Sequence, residues 1–303
     1  MVTSTLIENG TTHLKGKIPS EFIVNGYKKQ FDIDVVSVLE GIKDVEIYEC
    51  DASGYRFYYP LNLSGDSKFY EKLQEYDWYY LPWKWEHSEF SKLIQENDHI
   101  LEVGCGQGDF IQNLLKKNAT IQCIGLELNE SSIKSLDRFD ILNESVEEHS
   151  KNNKEKYDLV CSFQVLEHIA DVNPFIRSKI ECLKKGGTLV ISVPNNDSFL
   201  KYADQDILNM PPHHMGLWNS SSLKSIEEYY GVELVEIKYE PLQDYHFDFY
   251  FRIWLKKYVG DLASKAINKI FNITRLNYFV HKRLKRKSTE IKGQCILAIY
   301  RKN

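Results

Sequence analysis

The sequence predicts an α/β fold built around a mostly parallel β-sheet. From residue 98 to about residue 244, short apolar runs alternate with stretches of helical periodicity, a pattern typical of parallel strands joined by crossover helices. A glycine-rich turn links the first apolar run to the helix after it, which is where such sheets bind ligands. The 303 residues allow one large domain with additions, and a content of 43% hydrophobic and 27% charged residues suits a globular protein.

The apolar runs and the turn residues place the elements in order along the chain. We expect strands near 99–103, 121–127, 139–142, 157–162, 187–193, 232–239 and 293–300. We expect helices near 108–117, 130–137, 171–184 and 220–229. Because glycine commonly ends a helix in a left-handed conformation, we assign Gly186 and Gly187 as the end of the third helix.

The residues before this region, 1–97, are predicted to form an N-terminal extension and lid. The runs 45–50 and 55–59 flank Asp51-Ala-Ser-Gly54, which has the composition of a hairpin turn. Residues 66–97 have helical periodicity and many aromatic side chains, which would pack on the core or close over a ligand. Ser53 stands where a zinc knuckle with Cys50 would need a second cysteine, so we expect no zinc there.

The glycine turn carries charges that select its ligand. Glycines stand at 104, 106 and 108, but position 109 is Asp, so the dinucleotide pattern G-x-G-x-x-G is broken. Glu102 adds a second carboxylate, and two acids repel a pyrophosphate at a helix N-terminus. A ligand with a cationic centre and no phosphate fits better, and S-adenosylmethionine (SAM) has a sulfonium and an ammonium. Glu127 lies about 20 residues farther on, where an acid accepts hydrogen bonds from both ribose hydroxyls.

Four segments in the same order resemble the motifs of class I SAM-dependent methyltransferases. These segments are Glu102–Gly108, Gly125–Glu127, Tyr157–His168 and Leu183–Pro194. The Val-Leu-Glu-His segment and a later Pro-Pro-His-His, Pro211–His214, are similar to a broad bacterial group in small-molecule, sugar or surface-polysaccharide pathways. The resemblance implies a Rossmann-like, seven-stranded, mostly parallel sheet over 98–303, with helices on both faces and an antiparallel last strand.

The resemblance also implies which residues contact SAM. The residues expected at its methionine part belong to the first motif and to the end of the fourth strand: Glu102, Gly104, Cys105, Gly106, Gly108, Phe163 and Gln164. Glu127 would hold the ribose, and Leu128 would lie against the adenine. Glu144 and Ser145 would reach the adenine edge, although an acid at that position also suits a plain helix N-terminus.

Three histidines follow the carboxyl ends of predicted strands, where the ligand crevice opens. His168 comes after the fourth strand, and His213 and His214 come after the fifth. Methyl transfer to a hydroxyl needs a group that takes the proton, so each of the three is a candidate catalytic base. His168 also suits a structural role in its loop.

The acceptor site is harder to predict. Tyr80, Trp83 and Trp218 are the aromatic candidates for contact with the acceptor. Some RNA 2′-O-methyltransferases resemble this region but hold a divalent ion with Glu-x-x-Glu-His and a distant histidine. Gln164 stands here in place of the first glutamate, and the loss of an anionic ligand weakens a site for a hard cation, so we expect no metal.

Cysteine and charge patterns indicate the compartment and the partners. Six scattered cysteines without a C-x-x-C pair suggest buried free thiols and a cytoplasmic protein, and no apolar run suggests a signal peptide or a membrane span. The net charge of −5 argues against general nucleic-acid binding. However, Arg252–Lys287 contains eleven basic residues and one acid. This stretch lies in a helical insertion, 245–290, between the last two strands.

The insertion allows three interpretations. It is a solvated basic helix packed on the domain, an amphipathic helix on the inner face of the membrane, or a docking patch for an anionic substrate or carrier. The leading hypothesis is a cytoplasmic SAM-dependent O-methyltransferase for a sugar, a glycan precursor or another small metabolite. The alternatives are an RNA or protein methyltransferase that docks through the insertion, and a non-catalytic module that keeps the fold.

Overall fold

The computed structural model describes residues 2–76, 79, 81–130, 135–136, 138–203, 206–274 and 276–303. The N-terminal part forms strand β1 (Thr12–Pro19), helix α1 (Ser20–Phe31), strands β2 (Asp44–Cys50) and β3 (Arg56–Tyr59), and helices α2 (Ser67–Gln74) and α3 (Trp85–Ser91). Strands β2 and β3 pair in antiparallel register, so the predicted hairpin is confirmed. Strand β1 pairs with the other edge of β2.

The central part alternates strands and helices as predicted. Its strands are β4 (His99–Val103), β5 (Gln122–Leu126), β6 (Ser135–Leu136), β7 (Phe139–Leu142), β8 (Tyr157–Phe163), β9 (Leu183–Pro194), β10 (Gly216–Leu217) and β11 (Val232–Pro241). Its helices are α4 (Asp109–Lys117), α5 (Val146–Asn152), α6 (Val172–Cys182) and α7 (Ser220–Tyr230). Helices α8 (Phe247–Val259), α9 (Asp261–Thr274) and α10 (Asn277–Lys287) follow, and strand β12 (Lys292–Lys302) comes last. The predicted helical insertion before the last strand is therefore confirmed.

The main sheet has the order β11-β12-β9-β8-β4-β5-β7-β6. Strand β4 lies parallel to both β5 and β8, so the chain reverses its direction of travel across the sheet at this point. Ligands bind at such a switch point, beyond the carboxyl ends of the strands. Strand β12 runs antiparallel to both β9 and β11, which confirms the predicted antiparallel last strand. Seven strands make up the sheet, and the two-residue β6 adds a short edge.

Two predicted helix features are wrong. The helix expected at 130–137 is absent at Ser135–Leu136, which pairs with β7 as strand β6, while 131–134 and 137 lie outside the described residues. Helix α6 ends at Cys182, and Gly186 lies within β9 instead of capping the helix. The pairing of β8 with β9 shifts its register between Tyr157 and Leu159, and the positive φ of Gly186 accommodates the extra residues on β9.

The N-terminal extension shares its core with the main sheet. Leu6, Tyr55 and Phe57 are buried in the same apolar cluster as sheet residues such as Leu101 and Ile191. Strand β10, which follows β9 in the chain, pairs with β3 of the extension. The extension and the main-sheet domain therefore share a hydrophobic core and are joined by strand pairing in this region. All six cysteines are buried and free, as predicted.

Candidate active site

The glycine turn between β4 and α4 requires its glycines. Gly104, Gly106 and Gly108 have φ angles of 76°, 52° and 79°, in the left-handed region that favours glycine. A Cβ on Gly104 would lie 2.5 Å from Cγ2 of Val165, and one on Gly108 would lie 2.8 Å from Cζ of Phe139. The turn thus allows close approach of a ligand to the backbone and leaves no room for a side chain at Gly104 or Gly108.

Glu127 is fixed at the edge of this turn. One of its carboxylate oxygens accepts a hydrogen bond from the Gly106 N–H and the other from the Asn129 N–H, both at 2.9 Å. The side chain is half-buried, and each carboxylate oxygen has a further lone pair. Glu127 is therefore oriented to accept hydrogen bonds from a diol such as a ribose.

Glu102 lies in β4 and is the strongest sign of a cationic ligand. Its side chain is 4% exposed, and its Oε2 has no hydrogen-bond partner. Burial raises the pKa of this carboxyl well above its usual range, the nearby Glu127 adds to the rise, and Lys84 opposes it. An unpartnered buried carboxyl is costly, and an ammonium group is the kind of partner that would satisfy it. The residues of the turn therefore fit SAM.

Three imidazole rings lie together beyond the carboxyl ends of β8 and β9. The ring centroids of His168, His213 and His214 are 4.5 to 5.0 Å apart in pairs. One ring nitrogen from each lies within 4.8 Å of those from the other two. His213 and His214 are buried, and His168 is half-buried. The structure thus brings together the three histidines that the sequence singled out separately.

Hydrogen bonds fix the tautomer of each ring in this histidine cluster. Nδ1 of His168 lies 2.5 Å from the carbonyl oxygen of His213, and Nδ1 of His213 lies 2.9 Å from that of Leu208. A carbonyl oxygen only accepts, so both Nδ1 atoms carry the proton. The lone pair is then on Nε2 of each ring.

His214 has the same tautomer through a chain of amides. Its Nδ1 lies 3.0 Å from Oδ1 of Asn209, whose Nδ2 donates to Oδ1 of Asn196. Asn196 in turn donates through its own Nδ2 to the Trp218 carbonyl, which sets the orientation of both amides. Burial lowers the pKa of His168 to about 4 and the pKa values of His213 and His214 well below their usual range. All three rings are neutral at pH 7.

The loop that carries His213 and His214 is held by the N-terminal extension. The hydroxyls of Tyr27 and Tyr58 donate to the carbonyl oxygens of Met210 and Asn209, at 2.9 and 2.8 Å. The Tyr58 N–H donates to the carbonyl of Met215, just before β10. The extension therefore positions the histidine loop as well as lying over the sheet.

Comparison with known proteins identifies the family of this site. A family profile described as a methyltransferase domain matches residues 78–237, more than half of the chain. The chain belongs to the class I SAM-dependent methyltransferases. The matched region contains the glycine turn, Glu127 and the histidine cluster, so SAM is the cofactor and the protein is an enzyme.

Curated relatives and a solved structure agree with this assignment. The chain is 31% identical over 173 residues to a ubiquinone biosynthesis O-methyltransferase of Hydrogenovibrio crunogenus, covering 51% of this chain and 72% of the relative. It is 26% identical over 164 residues to the enzyme of the same name in Aliivibrio fischeri, covering 48% and 69%. A SAM-dependent methyltransferase from Archaeoglobus fulgidus superposes with a TM-score of 0.50 at 21% identity, covering 72% of this chain and 91% of that one. The last match shows the shared fold.

The other predicted SAM contacts of this methyltransferase differ in how far their side chains are exposed. Leu128 is 64% exposed beside Glu127, where an adenine would cover it. The Cys105 side chain is buried against Gly125, so it offers only its backbone to the turn. Phe163 packs on Phe90 and other rings of the core.

The polar groups among these contacts already have partners. The Gln164 amide donates to Oγ of Ser192 at 3.0 Å. Glu144 does not act as a free acid, because one of its oxygens lies 2.6 Å from Nδ1 of His149. Ser145 caps α5 by accepting a hydrogen bond from the Glu148 N–H.

The predicted acceptor contacts are only partly placed by the structure. Trp218 does not wall an open pocket as predicted, because it is fully buried and packs on Tyr55 with ring centroids 4.4 Å apart. Trp83 packs on Phe110 beside the glycine turn, and its Nε1 donates to Ser88. Tyr80 lies outside the described residues.

Lys84 is a site residue that the sequence prediction did not include. It is half-buried just before α3, and its charge acts on the pKa values of Glu102, Glu167 and His168. It thus brings positive charge to a site where buried acids predominate. The sequence signal for this residue is a single cation inside the aromatic segment Pro82–Trp85.

Proposed function

We propose that this methyltransferase transfers the methyl group to a hydroxyl oxygen of a small metabolite. The observation that carries the proposal is the neutral histidine cluster at the same sheet edge as the SAM turn. Transfer to oxygen requires a group that deals with the hydroxyl proton, and a neutral imidazole with a free lone pair does so. The two curated relatives named above are O-methyltransferases by name, which supports the same reaction type.

The residues of the SAM site each have a part in this proposal. SAM supplies, when bound, a methyl group on a sulfonium whose departure leaves a neutral thioether. Glu102 binds the ammonium and Glu127 holds the ribose, and the positive charge of Lys84 opposes the rise in the pKa of Glu102. Trp83, which packs on Phe110 beside the glycine turn, would help to exclude water from the bound SAM, which strengthens these electrostatic contacts.

The acceptor class follows from the chemistry of the cluster and from the relatives. A ubiquinone precursor, a sugar and a glycan precursor all present hydroxyls of the required kind. The relatives favour an acceptor of ubiquinone biosynthesis, and we retain sugars and glycan precursors within the proposed class. An RNA or protein acceptor is the competing proposal.

Labelled SAM tests the proposed reaction directly. The protein is incubated with methyl-labelled SAM and with metabolite, RNA and protein fractions, and the products are examined by mass spectrometry. We expect label in a methyl ether of the metabolite fraction. Glu127→Ala should weaken SAM binding by about tenfold to hundredfold, because it removes hydrogen bonds to a charged group, whereas the exposed Glu130→Ala should not. Label confined to RNA or protein would overturn the proposal.

We also propose that the insertion rests on an anionic membrane surface. Of the sixteen large apolar side chains exposed in the described residues, nine lie between 245 and 290. On α9, Leu262 and Ile270 are 85% and 54% exposed and lie two turns apart on one face, beside the exposed Lys265 and Lys269. Exposed apolar side chains next to lysines match a bilayer interface, where both kinds of group make favourable contacts. Binding to an RNA backbone would use the lysine charges but not the apolar side chains.

Vesicle binding distinguishes these partners. Within the described residues, no helix combines the length and the apolar character needed to cross a bilayer, so the expected contact is peripheral. We expect sedimentation with phosphatidylglycerol vesicles and not with pure phosphatidylcholine, and a loss of binding in Leu262→Asp/Ile270→Asp. Val36→Asp is the matched control, because Val36 is also 54% exposed. RNA binding that the double variant leaves unchanged, without vesicle binding, would contradict the proposal.

A further inference from the structure

We propose that His168, His213 and His214 form a binding site for a divalent transition-metal ion. This inference deepens the proposed O-methyl transfer and depends on it for the chemical role of the ion. The binding of the ion itself follows from the arrangement of the three rings. It differs from the sequence prediction, which expected no metal because Gln164 replaces a carboxylate.

The first argument is geometric. One ring nitrogen of each histidine lies within 4.8 Å of those of the other two, so closure of about an ångström brings all three to one ion. The three side chains come from two separate segments, one after β8 and the other before β10. His168 is half-buried, and His213 and His214 are buried. The partly exposed ring of His168 is the side from which an ion would enter the cluster.

The second argument is the outer shell of hydrogen bonds. Metal-binding histidines typically donate their other ring N–H to a carbonyl or carboxylate, which fixes the tautomer and the orientation. All three rings do so here, with the acceptors being the carbonyls of His213 and Leu208 and the side chain of Asn209. The long hydrogen bond of 3.3 Å between Tyr79 and Nε2 of His213 would be replaced on metal binding.

The ligand set selects the kind of ion. Three imidazoles without a carboxylate suit Zn²⁺, Co²⁺ or Fe²⁺, whereas Mg²⁺ and Ca²⁺ prefer oxygen ligands. Three protein ligands leave a coordination position open, as catalytic zinc sites do.

The open position gives the ion its role in methyl transfer. With the ion bound, the three imidazole lone pairs coordinate it, so the ion replaces the imidazoles in activating the hydroxyl. A hydroxyl bound next to the cation would lose its proton to solvent more easily, because the positive charge stabilises the oxyanion. The oxygen electron pair then forms the bond to the methyl carbon, and the carbon–sulfur pair remains on sulfur. One proton is released for each methyl ether formed, so atoms and charge balance.

Cobalt spectroscopy tests the site on the full chain after chelation. We expect Co²⁺ to bind with one equivalent and to give ligand-field absorption bands, which Zn²⁺ displaces and Mg²⁺ does not. X-ray absorption of the zinc-loaded wild type should show three imidazole ligands, a result that does not depend on any variant folding. Binding of Co²⁺ with fewer than two imidazoles, or no stoichiometric binding, would overturn the inference.

Variants separate this inference from the proposed function. His214→Gln should reduce Co²⁺ affinity by about a hundredfold or more, and Asn209→Leu by about tenfold to hundredfold, because it removes the partner that orients His214. His281→Ala serves as the control, because His281 is a half-buried histidine on α10, outside the cluster. SAM binding should be unchanged in all of them. If SAM binds but Co²⁺ does not, the metal site is wrong and the proposed O-methyl transfer stands. If Co²⁺ binds at the three histidines but no labelled methyl ether forms, the metal site stands and the proposed O-methyl transfer is wrong.

Discussion

At the scale of single residues, burial decides which charged forms the site contains. Burial in β4 raises the pKa of Glu102, and the charge of Glu127 adds to the rise, while burial lowers the pKa values of the three histidines. The site is therefore ready for a cation at the turn and offers lone pairs at the cluster. These two features are 60 or more residues apart in the chain and meet only through the sheet edge.

Glu102 should couple SAM binding to proton release. In the free protein the raised pKa keeps this carboxyl protonated at pH values where a normal glutamate is ionised. An ammonium beside it favours the carboxylate, so binding should release a proton, and affinity should rise with pH until Glu102 is ionised in the free protein. Calorimetry in buffers of different ionisation enthalpy measures the released proton.

The Glu102→Gln variant provides the comparison for this coupling. We expect SAM affinity to fall by about tenfold to hundredfold, because a charge-assisted hydrogen bond is lost, and the proton release to disappear. The exposed Glu96→Gln should keep both. Proton release that survives in Glu102→Gln would assign it to another group.

At the scale of elements, two glycines with similar backbone angles have different reasons to be glycine. Gly104 and Gly186 have φ angles of 76° and 73°. A Cβ at Gly104 would collide with Val165, whereas a Cβ at Gly186 would meet nothing within 4 Å. Gly186→Ala should cost about 1–2 kcal/mol from the left-handed backbone alone.

Gly104→Ala should cost clearly more than Gly186→Ala. The collision with Val165 adds about 1–3 kcal/mol of overpacking to the same backbone strain. It should also weaken SAM binding, because Val165 or the turn must shift. Urea denaturation of both variants, with SAM titrations, measures the two effects. Equal losses of unfolding free energy in the two variants would show that the turn has room that the structure does not indicate.

The elements also show what the sequence could and could not predict. Strands β4 and β7 fall at the predicted residues, because their alternation of apolar runs and turns is local. Gly186 was misassigned because a left-handed glycine serves a bulge as well as a helix end. Strand β6 has only two residues, which is too short for an alternation of apolar and polar residues to predict it. A tryptophan such as Trp218 can line a pocket or fill a core, and the sequence does not distinguish the two. The contact of the histidine rings depends on tertiary packing, which no local pattern contains.

At the scale of the whole molecule, the two ends of the insertion (245–290) lie close together, at the paired ends of β11 and β12. Pro241 at the end of β11 pairs with Lys292 at the start of β12. Next to it, the Glu240 carboxylate accepts hydrogen bonds from the N–H groups of Gln294 and Cys295, both at 3.1 Å. Glu240 thus closes the base of the insertion, and its protonation should affect how firmly the insertion is joined to the domain.

Glu240 should make the stability of the protein depend on pH. Burial raises its pKa from 4.5 to about 7, Glu86 adds to the rise, and the N–H groups of Cys295 and Gln294 and the Tyr245 hydroxyl oppose it. A raised pKa means that the folded state binds the proton more tightly than the unfolded state. The stabilisation is therefore fully present below pH 4.5 and is lost as pH rises through about 7, with a difference on the order of 3 kcal/mol.

Urea denaturation at pH 5 and at pH 8.5 measures this dependence. Glu240→Gln keeps a neutral, hydrogen-bonding side chain at all pH values, so its free energy of unfolding should fall less between the two pH values than that of the wild type. Glu236→Gln changes an exposed acid on the same strand and should keep the wild-type slope. Buried acids that do not interact with Glu240, such as Glu102, contribute equally to all three proteins and cancel in the comparison, whereas the coupling of Glu86 to Glu240 is part of the measured difference. If Glu240→Gln and Glu236→Gln lose the same free energy, the proton on Glu240 does not stabilise the base of the insertion.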